Sequence, residues 1–348
     1  MRILVTGGAG FIGSNLAMTL QARYPQASLV VLDDFSNGNF ANLAGFRGDV
    51  VTADMAVRGS LDALGGREFD AIYHLAANTD TRVSDQPRMM RQNVEAFRNL
   101  LDFSRARRVP IVYASSAATY GRREGRMKES DEALPANVYA FSKLVMDNIA
   151  REETERHGGT WKLVGVRYFN VYGPHEGHKG VPSSMAYHLS NQMVKGERPR
   201  IFEFGEQTRD FVHVDDAVNG TIHAMERSKQ SGVYNIGSGK GRSFNELIAA
   251  LNKALGTSLE PEYIDNPYKA FYQNHTEADL TRSNADLGYA PKLDLEAGVA
   301  SYMKWLHPDF KPPAQRGRAT AVKGSGSTRA KAAHPVRRQS TRASTTRA

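Results

Sequence analysis

Tyr139 and Lys143 are the two residues in this sequence whose types and spacing best suit proton transfer. They are four positions apart in a stretch with a helical pattern, so they lie on one face of the expected helix. A free tyrosine has a pKa of about 10, but an ammonium group beside it favours the phenolate. Such a pair can take a proton from an alcohol while a hydride leaves the same carbon. A surface tyrosine beside a solvated lysine would have the same spacing, although no other of the fourteen tyrosines has a lysine four positions later.

A serine-rich segment, residues 114–121, follows an apolar run of strand length and supplies hydroxyls for the same chemistry. A serine at that point can hydrogen-bond the substrate oxygen that the tyrosine deprotonates. Serines at the end of a strand are also ordinary turn residues, so the segment alone does not decide between the two interpretations.

Gly7, Gly10 and Gly13 form a second chemical pattern, spaced three apart between the first apolar run and the first amphipathic stretch. The first glycine permits a tight turn, the second lets a pyrophosphate approach, and the third lets the helix pack closely on the strand. The following helix N-terminus offers free N–H groups to phosphates. Asp33 comes twenty residues after Gly13 at the end of the next apolar run, where a carboxylate binds the ribose hydroxyls of a dinucleotide. The segment is therefore predicted to bind NAD or NADP.

The residues after Asp33 favour NAD. A 2′-phosphate would be repelled by this carboxylate and would need a lysine or arginine nearby, and the next basic residue is Arg47. Other strand ends and caps could line the same cofactor, although they are equally well explained as structural residues. These further candidates are Asp54, Met55, Leu75, Ala76, Ala77 and Asn93.

Alternating apolar runs and amphipathic stretches indicate how these residues are positioned. Strands are predicted at 2–6, 28–33, 69–76, 109–115 and 161–169, with helices at 11–23, 86–105 and 138–157. This alternation is typical of a parallel sheet covered on both faces, in which ligands bind at the carboxyl ends of the strands. We therefore predict an α/β fold with a Rossmann-type doubly wound parallel sheet.

Three regions are expected along the chain. Residues 1–168 would form the NAD(P)-binding domain, and residues 169–310 a smaller α+β substrate-binding domain that is partly interleaved with it. Residues 311–348 carry ten lysines and arginines, no acidic residue and few large apolar residues, which predicts a disordered basic tail. The tail accounts for the net charge of +8, because the rest of the chain has about equal numbers of acidic and basic residues.

Composition excludes several classes of protein. There is no cysteine, which excludes disulfides, thiolate metal sites and cysteine nucleophiles. No apolar run is long enough to span a membrane, and because the sequence enters a strand-like run at once, no signal peptide is expected. We expect a cytoplasmic enzyme. Nucleic-acid binding is not expected, except loosely through the basic tail.

Five longer motifs give the sequence a specific resemblance. It is similar to the short-chain dehydrogenase/reductase superfamily in its extended branch that modifies sugar nucleotides, and there it resembles the ADP-L-glycero-D-manno-heptose 6-epimerase family. Within the motifs, the Glu-Gly-His-Lys-Gly sequence at 176–180 is the most specific, and the similarity covers roughly residues 1–306. The motifs are Tyr113–Gly121, Asn137–Lys143, Arg167–Gly180, Arg209–Val212 and Thr276–Thr281.

The resemblance implies roles for individual residues. Tyr139 and Lys179 would be two catalytic acid/bases on opposite faces of the reacting carbon, Ser116 would orient the hydroxyl, and Lys143 would tune Tyr139 and hold the nicotinamide ribose. Substrate contacts would come from Asn170, His188, Arg209 and Tyr272, besides Ser116. Cofactor contacts would come from Phe11, Ile12, Asp33, Asp34, Asn93 and Val171.

The family would also imply the reaction, which is epimerisation at C6″ of ADP-D-glycero-D-manno-heptose by transient oxidation and re-reduction with tightly bound NAD(P). The product supplies heptose for the lipopolysaccharide core, and the enzyme would be a homo-oligomer without a metal. His175 and His178 are three apart, but no carboxylate and histidine cluster completes a metal site there.

Two alternatives remain open at this point. Residues 78–82 and Val181 depart from the heptose epimerase pattern, so the enzyme could be a UDP-hexose 4-epimerase or another sugar-nucleotide epimerase or reductase. A dehydratase would need a carboxylic acid beside the catalytic serine, where this chain has Ala117 and Ala118. A non-catalytic nucleotide-sensing or RNA-associated protein is the second alternative, and the Tyr139 and Lys143 pair argues against it.

Overall fold

The computed structural model describes residues 1–82, 85–267 and 272–312. Its strands are β1 Arg2–Thr6, β2 Ser28–Asp33, β3 Asp49–Thr52, β4 Ala71–His74, β5 Ile111–Ser116, β6 Leu163–Tyr168, β7 Asn170–Tyr172, β8 Arg200–Phe202, β9 Thr208–His213, β10 Gly232–Ile236, β11 Gly241–Ser243 and β12 Glu262–Ile264. Its α-helices are α1 Phe11–Arg23, α2 Gln86–Met90, α3 Ala96–Arg105, α4 Val138–Arg156, α5 Met185–Met193, α6 Val214–Arg227, α7 Phe244–Leu255, α8 Thr281–Leu287 and α9 Leu295–Leu306.

Seven parallel strands form the central sheet, in the order β10-β6-β5-β4-β1-β2-β3. Its inner strands are buried almost throughout, as parallel strands covered on both faces must be. The strand order reverses between β1 and β4, which places a crevice outside their carboxyl ends. The predicted Rossmann-type fold is confirmed.

Neighbouring residues of each strand face opposite cores because strand side chains alternate. On β1, Val5 joins the core formed with α1 and α6, whereas Leu4 joins the core formed with α3 and α4. On the next strand, Val31 and Val30 divide between the same two cores. Helices therefore pack on both faces of the sheet and leave the carboxyl ends of its strands as the place for a site.

The second half of the chain builds smaller units beside that edge. β11, β9 and β7 form one small sheet, and β12 pairs with β8. A third core joins β7, β8 and β9 to α5, α7 and α9. Two elements of this half belong with the large sheet, because β10 pairs with β6 and α6 packs against its strands. The chain therefore passes back into the first of the two regions that we predict to divide at residue 168.

The stretch 86–105, predicted as one helix, consists of α2, a π-helical turn at Arg91–Glu95 and α3. No helix among the described residues is long and apolar enough to cross a membrane. The predicted disordered tail, apart from Lys311 and Pro312, lies outside the described residues.

Candidate active site

A cleft of about 970 Å³ lies at the carboxyl ends of the central strands. Of the candidate residues, Asn93 and His188 are not among those lining it. The candidates that do line it are Gly7, Gly10, Phe11, Ile12, Gly13, Asp33, Asp34, Asp54, Met55, Leu75, Ala76, Ala77, Ser116, Tyr139, Lys143, Asn170, Val171, Lys179, Arg209 and Tyr272.

The glycine loop at one end of the cleft fits a dinucleotide phosphate. Gly7 has φ +69°, and a Cβ there would lie 2.5 Å from the Ala76 nitrogen, so the turn requires glycine. A Cβ on Gly13 would overlap the Gly7 carbonyl oxygen, whereas one on Gly10 would have a nearest neighbour at 3.1 Å. Gly10 precedes α1 without a side-chain cap, and the first turn of α1 carries no acidic residue. The N–H groups of this turn are therefore available to an anion.

Asp33 supports this loop and also borders the cleft. Its two carboxylate oxygens accept hydrogen bonds from the backbone N–H groups of Ala9 and Phe35, each at 2.9 Å. Burial raises its pKa, and the two backbone hydrogen bonds oppose that shift. Asp34, next to it, accepts hydrogen bonds from the N–H and hydroxyl of Ser36. Two carboxylates thus lie at the end of β2, where the sequence pattern predicts the ribose.

Tyr139 and Lys143 lie on the first turns of α4, which begins at an Asn137 cap that accepts a hydrogen bond from Ala140. The Lys143 nitrogen is 6.0 Å from the centre of the Tyr139 ring. It donates a 2.8 Å hydrogen bond to the carbonyl of Ala114 at the end of β5. Lys143 is 1% exposed, and burial lowers its pKa to about 8.

The direction in which the Tyr139 pKa is shifted differs from the sequence expectation. Burial raises the pKa of its hydroxyl, and a hydrogen bond with Ser116 only opposes that shift. Burial thus favours the phenol form of Tyr139, which can donate a proton. Ser116 itself caps a short turn by accepting a hydrogen bond from Ala118.

A buried ion pair beneath Lys143 was not found by sequence reasoning. Asp147 and Arg167 approach to 3.0 Å, and the carboxylate also accepts hydrogen bonds from the hydroxyls of Tyr113 and Ser115. Asp147 follows Lys143 by one helical turn, so an acidic residue on the buried face of α4 was the available signal. This pair fixes α4 against β5 and β6.

Lys179 reaches the same cleft from the segment that follows β7. It ends a 3-10 turn at Gly177–Lys179, and its ammonium nitrogen lies 5.4 Å from the centre of the Phe11 ring. Burial lowers its pKa, and the carboxylate of Glu176 opposes that shift. A neutral lysine is thus more accessible here than in water, which suits a base.

Arg209 forms the opposite end of the cleft. The residue is 8% exposed, and its guanidinium lies 4.9 Å from the centre of the Tyr272 ring and 5.7 Å from that of Phe244. Among the described residues it forms no ion pair, because the neighbouring Asp210 instead accepts backbone N–H groups such as that of Ala278. A buried cation of this kind suits a phosphate or diphosphate.

The other candidates have more structural surroundings. Asn170 accepts a hydrogen bond from Thr276, and His188 contacts the carbonyl of Val181 at the rim of the cleft. Asn93 is fully buried in the π-helical turn, where it braces the backbone of Asn78 and donates to Ser142. Within the described part of the chain, no cluster of three metal-binding side chains is present.

Known proteins resemble this chain over most of its length. A sequence profile named NAD dependent epimerase/dehydratase family matches residues 3–237. The ADP-L-glycero-D-manno-heptose-6-epimerase of Brachyspira hyodysenteriae is 38% identical over 311 residues, covering 87% of this chain and 97% of that protein. The crystal structure of the enzyme of that name from Helicobacter pylori is 41% identical, with a TM-score of 0.81 over 88% of this chain and 96% of its own.

A more distant structure shows a similar architecture with ligands. The UDP-glucuronic acid 4-epimerase of Bacillus cereus, in complex with UDP-glucuronic acid and NAD, is 27% identical with a TM-score of 0.78, covering 88% of this chain and 98% of its own. The family profile covers the glycine loop, Tyr139, Lys143 and Lys179. From these matches and the geometry of the cleft, we conclude that this chain is a member of the NAD dependent epimerase/dehydratase family.

Proposed function

We propose that this enzyme epimerises ADP-D-glycero-D-manno-heptose at C6″ to the L-glycero epimer, supplying heptose for lipopolysaccharide core. The observation that carries the proposal is that Tyr139 and Lys179 line one cleft from two different elements. The names of the relatives from Brachyspira hyodysenteriae and Helicobacter pylori support the choice of sugar.

Two acid/bases suit the inversion of a carbon whose C–H bond is not acidic. Bound NAD(P)⁺ would accept the hydride from C6″ and return it. One of Tyr139 and Lys179 would remove the hydroxyl proton, leaving a ketone at C6″. After rotation about the C5″–C6″ bond, the hydride arrives on the other face and the second residue donates a proton to the oxygen. The phenol of Tyr139 and the burial-lowered pKa of Lys179 give one initial acid and one initial base.

The remaining side chains would hold the reactants. Lys143 would bind the nicotinamide ribose and stabilise the Tyr139 phenolate once it has donated its proton, and Ser116 would hydrogen-bond the reacting oxygen. Arg209, beside the rings of Tyr272 and Phe244, would bind the diphosphate. His188 and Asn93, which do not line the cleft, would act through the rim and through the backbone of Asn78.

We further propose that NAD is preferred over NADP. Asp33 and Asp34 place two carboxylates near the ribose position, where a 2′-phosphate would meet like charge. Dissociation constants of the two oxidised cofactors should differ at least about tenfold in favour of NAD. Equal affinities would contradict this preference.

The first experiment is proton NMR of the purified enzyme with ADP-D-glycero-D-manno-heptose and no added cofactor. We expect conversion to the L-glycero epimer, because a cofactor regenerated in each cycle can remain bound. Absence of conversion after addition of NAD and NADP would contradict the proposal. UDP-galactose would then test the UDP-hexose 4-epimerase alternative, with the departing residues 78–82 as its basis.

Replacing Tyr139→Phe removes one acid/base without changing the shape of the ring. We expect turnover to fall by about 10²–10⁴-fold, the usual contribution of general acid–base catalysis. Cofactor binding should be retained, which fluorescence of the reduced cofactor can check. Turnover near that of the original enzyme would exclude Tyr139 from the chemistry.

The expected cytoplasmic location and homo-oligomeric state stay predictions. Cell fractionation tests the first of these and light scattering of the purified enzyme tests the second.

A further inference from the structure

The segment between β7 and α5 carries Lys179, and the side-chain carboxylate of Glu176 links the two ends of this segment by hydrogen bonds. Glu176 is fully buried, and its oxygens accept hydrogen bonds from the N–H of Gly173 at 3.2 Å and from the N–H and hydroxyl of Ser184 at 2.6 and 2.8 Å. The Lys179 N–H donates to the Glu176 carbonyl at 3.0 Å. The segment is therefore a compact loop with its own internal brace.

Asn42 joins this loop to the glycine loop of the cofactor site. Its side-chain nitrogen lies 3.0 Å from the Ala9 carbonyl oxygen and 3.0 Å from Nδ1 of His178, and 3.4 Å from the His175 carbonyl. Asn42 is 8% exposed, so these contacts are sheltered from water. One amide thus bridges the backbone before Gly10 and the residue before Lys179.

The ammonium group of Lys179 has few contacts that would fix its position. It lies over the Phe11 ring, and no ion pair within 4 Å holds it among the described residues. Tyr139, in contrast, projects from the long helix α4. The place of Lys179 in the cleft therefore depends on where the loop backbone is fixed, and Asn42 fixes it next to the lysine.

We propose that Asn42 is a positioning residue for Lys179, and that it sets the location of this ammonium group relative to the cofactor loop through the Ala9–Asn42–His178 contacts. The inference rests on the proposed role of Lys179 as an acid/base. It adds a residue that touches neither substrate nor cofactor and acts through the lysine.

Asn42→Ala tests the proposal, with Asn252→Ala as a matched control. Asn252 also braces loop backbone, through the N–H and carbonyl of Leu259, but none of residues 252–262 lines the cleft. We expect Asn42→Ala to lower kcat by about 10- to 100-fold, because small misplacements of a catalytic group have effects of this size. KM should change little, and the control should keep its turnover.

A second measurement needs no turnover. The lysines are reductively ¹³C-methylated, and the Lys179 signal, assigned with Lys179→Ala, is titrated by NMR in nucleotide-free protein. In Asn42→Ala the pKa of Lys179 should move up towards that of an exposed lysine, because the loop no longer keeps it buried. In Asn252→Ala it should stay where it is in the original protein.

A double variant separates positioning from general stability. In the Lys179→Ala background, Asn42→Ala should cause no further loss of turnover in long NMR incubations, because its effect passes through the lysine. Additive losses, original turnover in Asn42→Ala, or an unchanged Lys179 titration would each overturn the proposal. If Asn42→Ala does not fold, His178→Ala, which removes the shorter loop contact of Asn42 and leaves the 3.4 Å contact with the His175 carbonyl, should reproduce part of the titration shift, and no shift there would overturn the proposal.

A failure of the proposed function can be distinguished from a failure of this inference, because the two are tested by different measurements. If the original enzyme does not epimerise the heptose, the reaction assignment fails, yet the titration of Lys179 still decides whether Asn42 holds it in place.

Discussion

At the scale of single residues, Lys143 carries an ammonium group in a buried position, where the loss of hydration disfavours its charge. The side chain is buried and donates hydrogen bonds to the Ala114 carbonyl and, at 3.9 Å, to the Met146 sulfur. Burial lowers its pKa to about 8 from an ordinary value of 10.5. Below pH 8 the folded protein holds a buried ammonium group that the unfolded chain would solvate. Between about pH 8 and 10.5 the unfolded chain binds more protons, so this residue adds stability as the pH rises.

Lys143→Met should therefore raise the free energy of unfolding at pH 7 while it abolishes turnover. We expect a gain of about 2 kcal/mol in nucleotide-free protein, reduced by the lost hydrogen bond to Ala114. Urea unfolding at pH 7 and pH 10 measures it, and the gain should shrink at the higher pH. A gain that is equal at both pH values would mean that the ammonium charge is not its source.

The Asp147 and Arg167 pair makes a different prediction at the same scale. Arg167→Met leaves a buried carboxylate with only the hydroxyls of Tyr113 and Ser115 as partners. We expect a loss of about 3–5 kcal/mol in the free energy of unfolding. The double variant with Asp147→Leu should recover most of this loss, since two apolar side chains need no partner. A double variant less stable than Arg167→Met would contradict this account of the pair.

Among individual residues, spacing alone predicted the glycine loop and the Tyr139–Lys143 pair. Lys179 and Arg209 came from the family resemblance, because a lone lysine or arginine carries no pattern. Asn42 was missed, since its role depends on three backbone and side-chain groups that are distant in the sequence. Only the folded chain brings such groups together.

At the scale of elements, two glycines at the start of α1 have different roles. Gly10 precedes the helix as its N-cap, and Gly13 lies in its first turn. A Cβ at Gly13 would overlap the Gly7 carbonyl, so Gly13→Ala should disturb the packing of α1 on β1 and lower the melting temperature. A Cβ at Gly10 would lie 3.1 Å from the Gly7 carbonyl oxygen, a tight contact that a small shift can relieve, so Gly10→Ala should lower the melting temperature less than Gly13→Ala. We expect Gly10→Ala to lose most of its affinity for the nucleotide, because the methyl group would face the phosphate position. Retained nucleotide, measured by absorbance after denaturation, would contradict this role for Gly10.

Strands that are apolar throughout were predicted well, and those that are not were missed. β3 is an edge strand with a largely exposed burial pattern, so its sequence lacks a continuous apolar run. β9 contains Arg209 and Asp210, and two adjacent charged residues are typical of a loop. Their buried surroundings, such as the hydrogen bond from Ser238 to Asp210, are not visible in the sequence. The region 86–105 has helical periodicity throughout, and periodicity does not reveal the π-helical turn around Asn93.

At the scale of the whole molecule, the basic charge is concentrated in one stretch of the sequence. The described residues that line the cleft lie at or before Tyr272 in the sequence, whereas residues 313–348 carry nine basic and no acidic residues. Deleting residues 313–348 should leave turnover unchanged and abolish retention on a cation exchanger at pH 7. Binding to single-stranded nucleic acid, measured with and without this segment, shows whether it holds anionic partners. A fall in turnover on deletion would mean that the segment reaches the site.

The strand β10 has a consequence for how the protein is made. A ribosome releases β6, whose six residues are all buried in the final sheet, more than sixty residues before it completes β10 at Ile236. Until then the growing chain presents an uncovered apolar strand edge, the kind of surface that promotes aggregation. Synthesis of β10 thus covers the exposed edge of β6, and a gene divided after residue 168 would yield an N-terminal fragment in which this edge stays uncovered.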